Sequence, residues 1–305
     1  MNRENVKNPV GVVPLQYDAF RKSDPETYTP ERILTEIAES GYAGVPAAPY
    51  SGETPAETLA HLARFGLVAA PGYLAAGEPW KRANLAPLVE KAKRFAAFAA
   101  AVNVSECFLD ADGWGYYTAS GKTRPEIAGR VTAADGLSGD EFAVLADTLN
   151  AVGAAMRKTG NVRACLHNHV GTVLESQAEL ENILAITDPE AVFIGLDTGH
   201  LAWAGADVPG FVERHAARIA AIHLKDIYQN VRQKGVAEHW KYATFTQNGL
   251  FAEPGAGAVD FPRVLSALRG ADYAGWLLVE TDVTTRATPG ESLRVSREYL
   301  RGLGY

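Results

Sequence analysis

Histidines are concentrated in one part of this 305-residue sequence. Five of the seven lie between positions 167 and 223, and all five except His215 stand at or just beyond the end of a short apolar run. Four runs end in ionisable residues: Cys-Leu-His-Asn-His at 165–169, Leu-Asp-Thr-Gly-His at 196–200, His-Leu-Lys-Asp at 223–226 and Val-Glu-Thr-Asp at 279–282. If these runs are neighbouring parallel strands, their ionisable ends converge on one mouth.

The spacing of these residues suits a shared face, because side chains two apart on a strand point the same way. Three pairs have this spacing: His167 with His169, His223 with Lys225, and Glu280 with Asp282. Imidazole nitrogen with carboxylate oxygen suits Zn²⁺, Mn²⁺, Fe²⁺ or Co²⁺, and the chain has no thiolate motif for a structural zinc site. A single strand-end histidine or aspartate is more often a hydrogen-bonded structural residue. The joint pattern instead predicts a catalytic divalent-metal site.

The elements that would position these groups alternate along the whole chain. Short apolar runs bounded by turn residues alternate with longer segments of helical period, which is typical of parallel βα units. The predicted strands are residues 9–15, 44–48, 67–73, 106–111, 162–168, 192–198, 219–226 and 275–280. The predicted helices are residues 30–40, 55–65, 84–104, 140–159, 176–186, 209–217, 261–268 and 289–303.

Eight such units in about 300 residues predict the α/β class and a single (β/α)8 TIM barrel occupying residues 1–305. An open doubly wound sheet is less favoured, because no glycine-rich phosphate turn follows the first strand. Two long connections, 112–139 and 227–259, follow the carboxyl ends of strands. Barrel enzymes build their sites at these ends.

Composition narrows the classes of function. A net charge of -7 gives no global attraction to nucleic acid or anionic lipid. The longest apolar run, near 95–102, is much shorter than the ~20 residues of a membrane helix. Residues 1–9 contain no apolar stretch for a secretion signal, and Cys107 and Cys165 are too few for a disulfide framework. We expect a cytoplasmic protein without nucleic-acid or membrane partners; homo-oligomerisation is left open.

Five stretches of the second half resemble a known family: 167–172, 197–200, 223–226, the pair 248–251 with 254–261, and 275–280. They read HNHVGT, DTGH, HLKD, NGLF with PGAGAVDF, and GWLLVE. In order and spacing they resemble the xylose-isomerase-like superfamily of sugar isomerases, epimerases and endonuclease IV relatives, and within it the inosose dehydratase branch. The resemblance implies a divalent metal, typically Mn²⁺ or Co²⁺, with Zn²⁺, Fe²⁺ or Mg²⁺ as alternatives.

The resemblance also implies the metal ligands. Asp197, His223 and Glu280 match three family ligands directly. Many members place a glutamate at the end of strand five, where this chain has His167, and Glu175 stands eight residues later. We favour Glu175 as the fourth ligand, since the family uses a carboxylate there, and keep His167 as the alternative.

The first half departs from the dehydratase pattern. Strand one ends Pro-Leu-Gln-Tyr, where that branch usually has a Trp and an Asn-Asp element, and strand two reads Gly-Val-Pro where a Glu is usual. These departures concern the substrate more than the fold. Gln16, Tyr50 and Trp114 are candidates for the substrate side, with packing as the equal alternative, and Asp226 is a further candidate.

The resemblance implies a small polyol or ketose as substrate, a polyhydroxy ketone that loses its α proton beside the metal. Glu280, Glu175 or His200 could act as the base, and His169, His200 or Lys225 could protonate a leaving hydroxyl. Loss of that hydroxyl would make the enzyme a dehydratase, a carbon-oxygen lyase, whereas return of the proton would make it an epimerase or isomerase. A DNA-repair enzyme is less favoured, because no basic groove that could bind DNA is apparent in the sequence. A sugar-binding protein without catalysis is less favoured because so many strand ends are ionisable.

Overall fold

The computed structural model describes residues 8–305 and shows a barrel of parallel strands surrounded by helices. The strands are β1 (Val10–Val13), β2 (Gly44–Pro46), β3 (Val68–Ala70), β4 (Gly72–Leu74), β5 (Glu106–Leu109), β6 (Arg163–His167), β7 (Val192–Asp197), β8 (Ile219–Leu224), β9 (Asp226–Ile227), β10 (Phe251–Ala252) and β11 (Leu277–Glu280). The barrel sheet has the order β3-β2-β1-β11-β8-β7-β6-β5-β4, and β9 pairs with β10 separately. The predicted α/β barrel is confirmed.

One predicted strand, residues 67–73, is broken at Pro71 into β3 and β4. Proline has no N–H to donate to a ladder, so a strand bends or breaks where it occurs. β3 pairs with β2 and β4 pairs with β5. The chain through Pro71 therefore joins the two ends of the sheet, and nine strands fill eight positions of the ring.

The helices are α1 (Asp18–Ser23), α2 (Pro30–Ser40), α3 (Pro55–Ala63), α4 (Leu85–Ala101), α5 (Gly139–Gly160), α6 (Gln177–Ile186), α7 (Thr198–Trp203), α8 (Val208–His215), α9 (Gln229–Ala237), α10 (Tyr242–Gln247), α11 (Phe261–Gly270) and α12 (Pro289–Gly302). All eight predicted helices are present, with ends shifted by a few residues. Their starts follow ordinary capping chemistry: Thr54 and Ser176, for example, each form a capping box with a glutamate three residues later. The other four helices are short and lie within connections.

Side chains inside the barrel change character along each strand. An apolar inner cluster includes Phe108, Cys165, Ala221 and Leu278. Two residues further along the same strands, and so on the same face, stand Asp110, His167, His223 and Glu280. A Cβ on Gly195 of β7 would lie 2.9 Å from the Phe108 ring, so glycine is needed there. The barrel therefore has an apolar floor beneath a layer of ionisable groups.

The two long predicted connections lie above this layer. The first contains the 3₁₀ helices Arg124–Ile127 and Ala133–Asp135, and the second contains α9, α10 and the β9–β10 pair. Among the helices of residues 8–305, none has the length and apolar character that crossing a membrane requires. Residues 1–7, most of the segment considered for a secretion signal, lie outside the described residues. The assignment of residues 1–305 to one domain stays a prediction.

Candidate metal centre

Four strand ends bring predicted ligands to one place. His167 ends β6, Asp197 ends β7, His223 lies in β8 and Glu280 ends β11. The strand register pairs Asp197 with His223, and His167 with Gly195 two residues before Asp197. The four side chains are 0–6% exposed. Their ionisable groups therefore interact with each other much more strongly than surface groups would.

Three ligand atoms converge at this place. His223 Nδ1 lies 2.8 Å from Glu280 Oε2 and 3.7 Å from Asp197 Oδ2. None of these three atoms makes a well-formed hydrogen bond within residues 8–305. Buried polar atoms are rarely left unpaired unless an ion or water completes them. Atoms this close without such a bond point at a shared centre, and their carboxylate and imidazole donors fit a divalent cation.

His167 is oriented to add a fourth donor. Its Nδ1 lies 3.2 Å from the carbonyl oxygen of Gly195, to which a protonated Nδ1 donates. Nε2 then carries the lone pair, which is the usual arrangement of a metal-binding histidine. Ligand atoms of His167, Asp197 and His223 all lie within 4.8 Å of one another. Burial lowers the pKa of His167 to about 3, so the ring is neutral.

Asp197 is held at both its side chain and its backbone. Its Oδ1 accepts a hydrogen bond from the His200 N–H at 2.8 Å, which caps α7 and leaves Oδ2 for the centre. The Asn168 side chain exchanges hydrogen bonds of 3.0 and 2.9 Å with the Asp197 backbone. Burial raises the pKa of Asp197, but Lys225 and His223 outweigh burial and hold the pKa well below its usual range.

The same two carboxylates, Glu280 and Asp197, also stabilise the protonated form of His223. Burial lowers the pKa of His223, but the charges of Glu280 and Asp197 outweigh burial and raise the pKa to about 9. A divalent cation at the shared centre would replace this proton as the partner of the carboxylates. Cation binding here would therefore release a proton.

Lys225 lies beside the converging atoms. Its Nζ is 3.1 Å from Asp197 Oδ2, 3.1 Å from Glu280 Oε2 and 2.7 Å from Asp282 Oδ1. Burial alone would lower the pKa of Lys225, yet the three carboxylates raise it well above its usual value. The ammonium therefore stays charged and forms ion pairs with all three carboxylates.

A second group of ligand atoms comes from His169, His200 and Asp282. The two imidazole rings lie 3.6 Å apart between centroids, and His200 Nε2 is 3.8 Å from Asp282 Oδ2. The N–H of Val170 donates to His200 Nδ1 at 3.4 Å, and His169 Nδ1 lies 2.7 Å from the Val170 carbonyl oxygen. Neutral His200 therefore has its hydrogen on Nε2, whereas neutral His169 has its lone pair there. Burial lowers the pKa of His169 to about 4.

A cavity of about 330 Å³ opens onto both groups. Its size is at the lower end of the roughly 300–1,000 Å³ typical of small-ligand sites. The lining residues are Val13, Leu15, Pro46, Pro71, Gly72, Tyr73, Phe108, His167, His169, His223, Lys225, Glu280 and Asp282. Apolar walls with a few convergent polar groups are typical of small-molecule sites.

A family model described as xylose isomerase-like TIM barrel matches residues 34–303. The chain belongs to this family. It is 26% identical over 307 residues to an inosose dehydratase of Geobacillus kaustophilus, covering 97% of this chain and 96% of the relative. Among solved structures of similar fold is the E. coli 3-keto-D-glucoside 4-epimerase, with 17% identity, a TM-score of 0.69 and coverage of 97% and 100%. The IOLI protein, whose structure contains a zinc atom, has 13% identity, a TM-score of 0.65 and coverage of 93% and 95%.

The predicted xylose isomerase-like family is confirmed, with inosose dehydratases among its relatives. The predicted enzyme class, a lyase or a sugar isomerase or epimerase, is confirmed as well. The converging donors of this xylose isomerase-like barrel support a divalent metal.

The structure places Glu175 away from the other predicted ligands of this xylose isomerase-like barrel. Its Oε1 accepts a hydrogen bond from Gly129 N–H and its Oε2 accepts one from Gly171 N–H, each at 2.7 Å. Burial raises the pKa of Glu175 to about 7, against the opposing charge of Arg124. His167, and not Glu175, is therefore grouped with Asp197 and His223. A sequence distance of eight residues from the strand end gave no geometric basis for choosing Glu175.

Three of the five predicted catalytic residues line the cavity: His169, Lys225 and Glu280. His200 is fully buried behind His169, and Glu175 joins the loops of Gly129 and Gly171. Apart from the predicted ligand Glu280, the predicted proton carriers that line the cavity are therefore His169 and Lys225.

The predicted substrate residues lie outside this lining. Gln16 is buried, whereas Tyr50 and Trp114 are 58% and 50% exposed. Trp114 packs edge-on against Tyr242, at 5.0 Å between centroids. The Asp226 carboxylate accepts hydrogen bonds of 2.9–3.1 Å from backbone N–H groups of residues 227, 255, 257 and 259. Its contacts fix the 253–259 turn.

Eight lining residues were missed as site residues, among them Tyr73, Phe108 and Asp282. The ring of Phe108 lies 3.8 Å from that of His223, and Tyr73 stands edge-on to His167 at 5.4 Å. The two-residue spacing did pair Asp282 with Glu280, a signal that could have included it in the site. For apolar Phe108 the sequence carries no comparable signal.

Proposed function

We propose that this chain is a divalent-metal-dependent enzyme that removes the α proton of a polyhydroxy ketone, most closely an inosose dehydratase-like lyase. The observation that carries the proposal is the convergence of His223 Nδ1, Asp197 Oδ2 and Glu280 Oε2, three buried atoms without well-formed hydrogen bonds in the described chain. The full-length similarity to an inosose dehydratase supports the reaction class.

Asp197, His223 and Glu280 would bind the metal, with the Nε2 atom of His167 as the fourth ligand. Two oxygens and two nitrogens favour Mn²⁺, Co²⁺, Zn²⁺ or Fe²⁺ over Mg²⁺, which prefers oxygen alone. When bound, the cation supplies a Lewis acid for the ketone oxygen and its neighbouring hydroxyl.

Proton transfer falls to the residues that line the cavity. His169 is neutral and presents the lone pair of Nε2, so it can accept the α proton. Lys225 is charged and can donate a proton to the β hydroxyl, which then leaves as water. His200 supports the His169 ring by packing against it, with 3.6 Å between the ring centroids and 39° between the ring planes.

The second candidate is a ketose or sugar epimerase or isomerase. The observation that favours it is the presence of two proton carriers, His169 and Lys225, on one cavity. If Lys225 returns a proton to the carbon before the β hydroxyl leaves, the same first step yields an epimer or an isomer. The two candidates therefore share proton removal and differ in the step that follows.

The decisive experiment follows both steps in one sample. The protein is stripped with a chelator, reloaded separately with Mn²⁺, Co²⁺, Zn²⁺ or Mg²⁺, and incubated with 2-keto-myo-inositol or free ketoses in D₂O. We expect α-proton exchange by NMR that needs metal, and diketone absorbance from the inosose. Exchange with epimer formation and no diketone would select the second candidate. Absence of exchange with every metal and substrate would overturn the proposal.

A further inference from the structure

The apolar side of the reaction cavity contains one side chain that can form a hydrogen bond. Of the described lining residues that come from β1 to β5, only Tyr73 carries a side-chain oxygen or nitrogen. β4 pairs Tyr73 with Phe108, so the two side chains lie on one face of the sheet, and the Tyr73 ring stands edge-on to His167. The proposed reaction gives the Tyr73 hydroxyl no role.

The hydrogen of the Tyr73 hydroxyl is already held by a carboxylate. The hydroxyl donates to Asp110 Oδ2 at 3.2 Å, and an ionised carboxylate can only accept. Burial raises the pKa of Tyr73 well above its usual value, so the phenol keeps its hydrogen at neutral pH. With this hydrogen committed to Asp110, the Tyr73 oxygen has only lone pairs to offer to another partner.

Asp110 is itself fixed by the backbone. Its Oδ1 accepts a hydrogen bond from the Ala76 N–H at 2.5 Å, and this donor belongs to the main chain just after β4. Oδ2 is therefore the oxygen left for Tyr73. Burial raises the pKa of Asp110 to about 6, so at pH 8 the carboxylate has no hydrogen to give to Tyr73. The direction of the bond between Tyr73 and Asp110 is thus set by the protein.

This direction determines which group Tyr73 can bind in the cavity. A hydroxyl has a hydrogen to donate to the Tyr73 oxygen, whereas an ether, a carbonyl or a fluorine at the same place has none. A polar group left without its hydrogen bond costs free energy in a cavity that excludes water. Tyr73 can therefore distinguish a donor from an acceptor, a distinction that the apolar side chains around it cannot make.

We infer that Tyr73 is a substrate-binding residue whose oxygen accepts a hydrogen bond from one ring hydroxyl, and that Asp110 is the positioning residue that sets this polarity. The inference rests on the proposed function for the class of ligand, a polyhydroxylated ring. It deepens that function by identifying the side of the cavity that selects a free hydroxyl at one ring position.

Asp110→Asn would reverse the polarity with little change of shape. The new side chain has a single oxygen, which the fixed Ala76 N–H takes, so its amide NH₂ faces Tyr73 and donates to the phenol oxygen. The Tyr73 hydrogen must then turn away, and the hydroxyl becomes a donor to the cavity. Tyr73→Phe is a second variant, which removes the hydrogen-bonding group and keeps the ring.

Each variant has a matched control. Asp112→Asn changes a carboxylate two residues further along the chain, which accepts from the N–H groups of Gly113 and Trp114 at one oxygen, so an amide oxygen can replace it. Tyr117→Phe removes a hydroxyl from a tyrosine that is 69% exposed. Neither control residue lines the reaction cavity.

Calorimetry on Mn²⁺-loaded protein at pH 8 would measure binding of myo-inositol and of its derivatives in which one hydroxyl is replaced by fluorine. These rings have no ketone, so no α proton is removed during the measurement. We expect the affinity ratio of hydroxyl to fluorine at one ring position to fall by about three- to tenfold in Asp110→Asn and in Tyr73→Phe. The ratios at the other positions, and all ratios in the two controls, should match the wild type.

A purely structural role for either residue would weaken binding of every ring by a similar factor and leave the ratios unchanged. That result, or an absence of ring binding by the wild type, would overturn the inference. A change of ratio in Tyr73→Phe but not in Asp110→Asn would overturn the role given to Asp110.

The α-proton exchange assay keeps this inference apart from the proposed function. Exchange by the wild type, with unchanged binding ratios in both variants, would overturn the inference and keep the proposed function. A changed ratio at one ring position, but no exchange with any metal and ketone, would overturn the proposed function and keep Tyr73 as a hydroxyl-binding residue.

Discussion

The two halves of the barrel contribute differently to the reaction cavity. From β1 to β5 come Val13, Leu15, Pro46, Pro71, Gly72, Tyr73 and Phe108. From β6 to β11 come His167, His169, His223, Lys225, Glu280 and Asp282. Within this lining, none of the first set carries a formal charge and all of the second set are ionisable. The first half therefore shapes the space that a substrate fills, and the second half holds the groups that could bind metal and move protons.

Loss of a ligand from the second half should have the largest effect. Removal of a group that only orients a ligand already costs about 10–100-fold in metal affinity, so we expect Glu280→Ala to lose more than about 100-fold. Metal content after dialysis and α-proton exchange would measure this effect. Glu190→Ala, a surface carboxylate with 81% exposure, is the control. Full metal occupancy in Glu280→Ala would contradict the ligand assignment.

His167→Ala should also weaken metal binding, by at least about 10–100-fold, but less than Glu280→Ala because the ligand that is lost is neutral. Glu175→Gln should leave the metal affinity unchanged, since both Glu175 oxygens accept backbone hydrogen bonds. Titration of each stripped variant with Mn²⁺ would give the affinities. If Glu175→Gln bound Mn²⁺ more weakly than His167→Ala does, Glu175 would be restored as the fourth ligand.

Glu175 should instead appear in the pH dependence of stability. Burial raises its pKa from 4.5 to about 7, against the charge of Arg124, so the folded protein binds this proton more tightly than the unfolded chain does. The contribution to stability is therefore fully present below pH 4.5 and is lost as the pH rises through about 7. Relative to Glu175→Gln, the wild type should lose roughly 1 kcal/mol per pH unit in this window. Urea unfolding of both proteins at pH 5, 6, 7 and 8 would measure the free energy of unfolding. If the curves of this free energy against pH were parallel for the wild type and Glu175→Gln, the expectation would be refuted.

A substitution in the first half of the barrel should have the smallest effect on activity and metal binding. Tyr73→Phe removes the hydroxyl that donates to Asp110 at 3.2 Å and keeps the ring against His167. We expect a loss of about 0.5–1.5 kcal/mol, seen in KM or in stability, with metal content unchanged. Steady-state kinetics and metal analysis of this variant would test it. Loss of metal from Tyr73→Phe would remove the distinction between the two halves.

Most of the fold was predictable because its signals are local. Each strand is a short apolar run, and helix starts such as Thr54 and Ser176 follow capping rules that need only a few residues. Pro71 is also a local signal, although its effect, a strand divided in two, was not predicted. The short helices α1, α7, α9 and α10 were missed, because six to nine residues within a connection give too little periodicity to recognise.

The sequence by itself determined that ionisable residues stand at the ends of strands on one face, because alternation along a strand is a property of the backbone. Only the tertiary structure decided that His167 joins Asp197 and His223, and that Glu175 instead joins two loops, because residues beyond a strand end follow no fixed period. Closure of the barrel likewise placed Tyr73 and Phe108 against histidines about 90 to 115 positions away in the chain. Those contacts depend on how strands are arranged around the ring, which no local pattern contains.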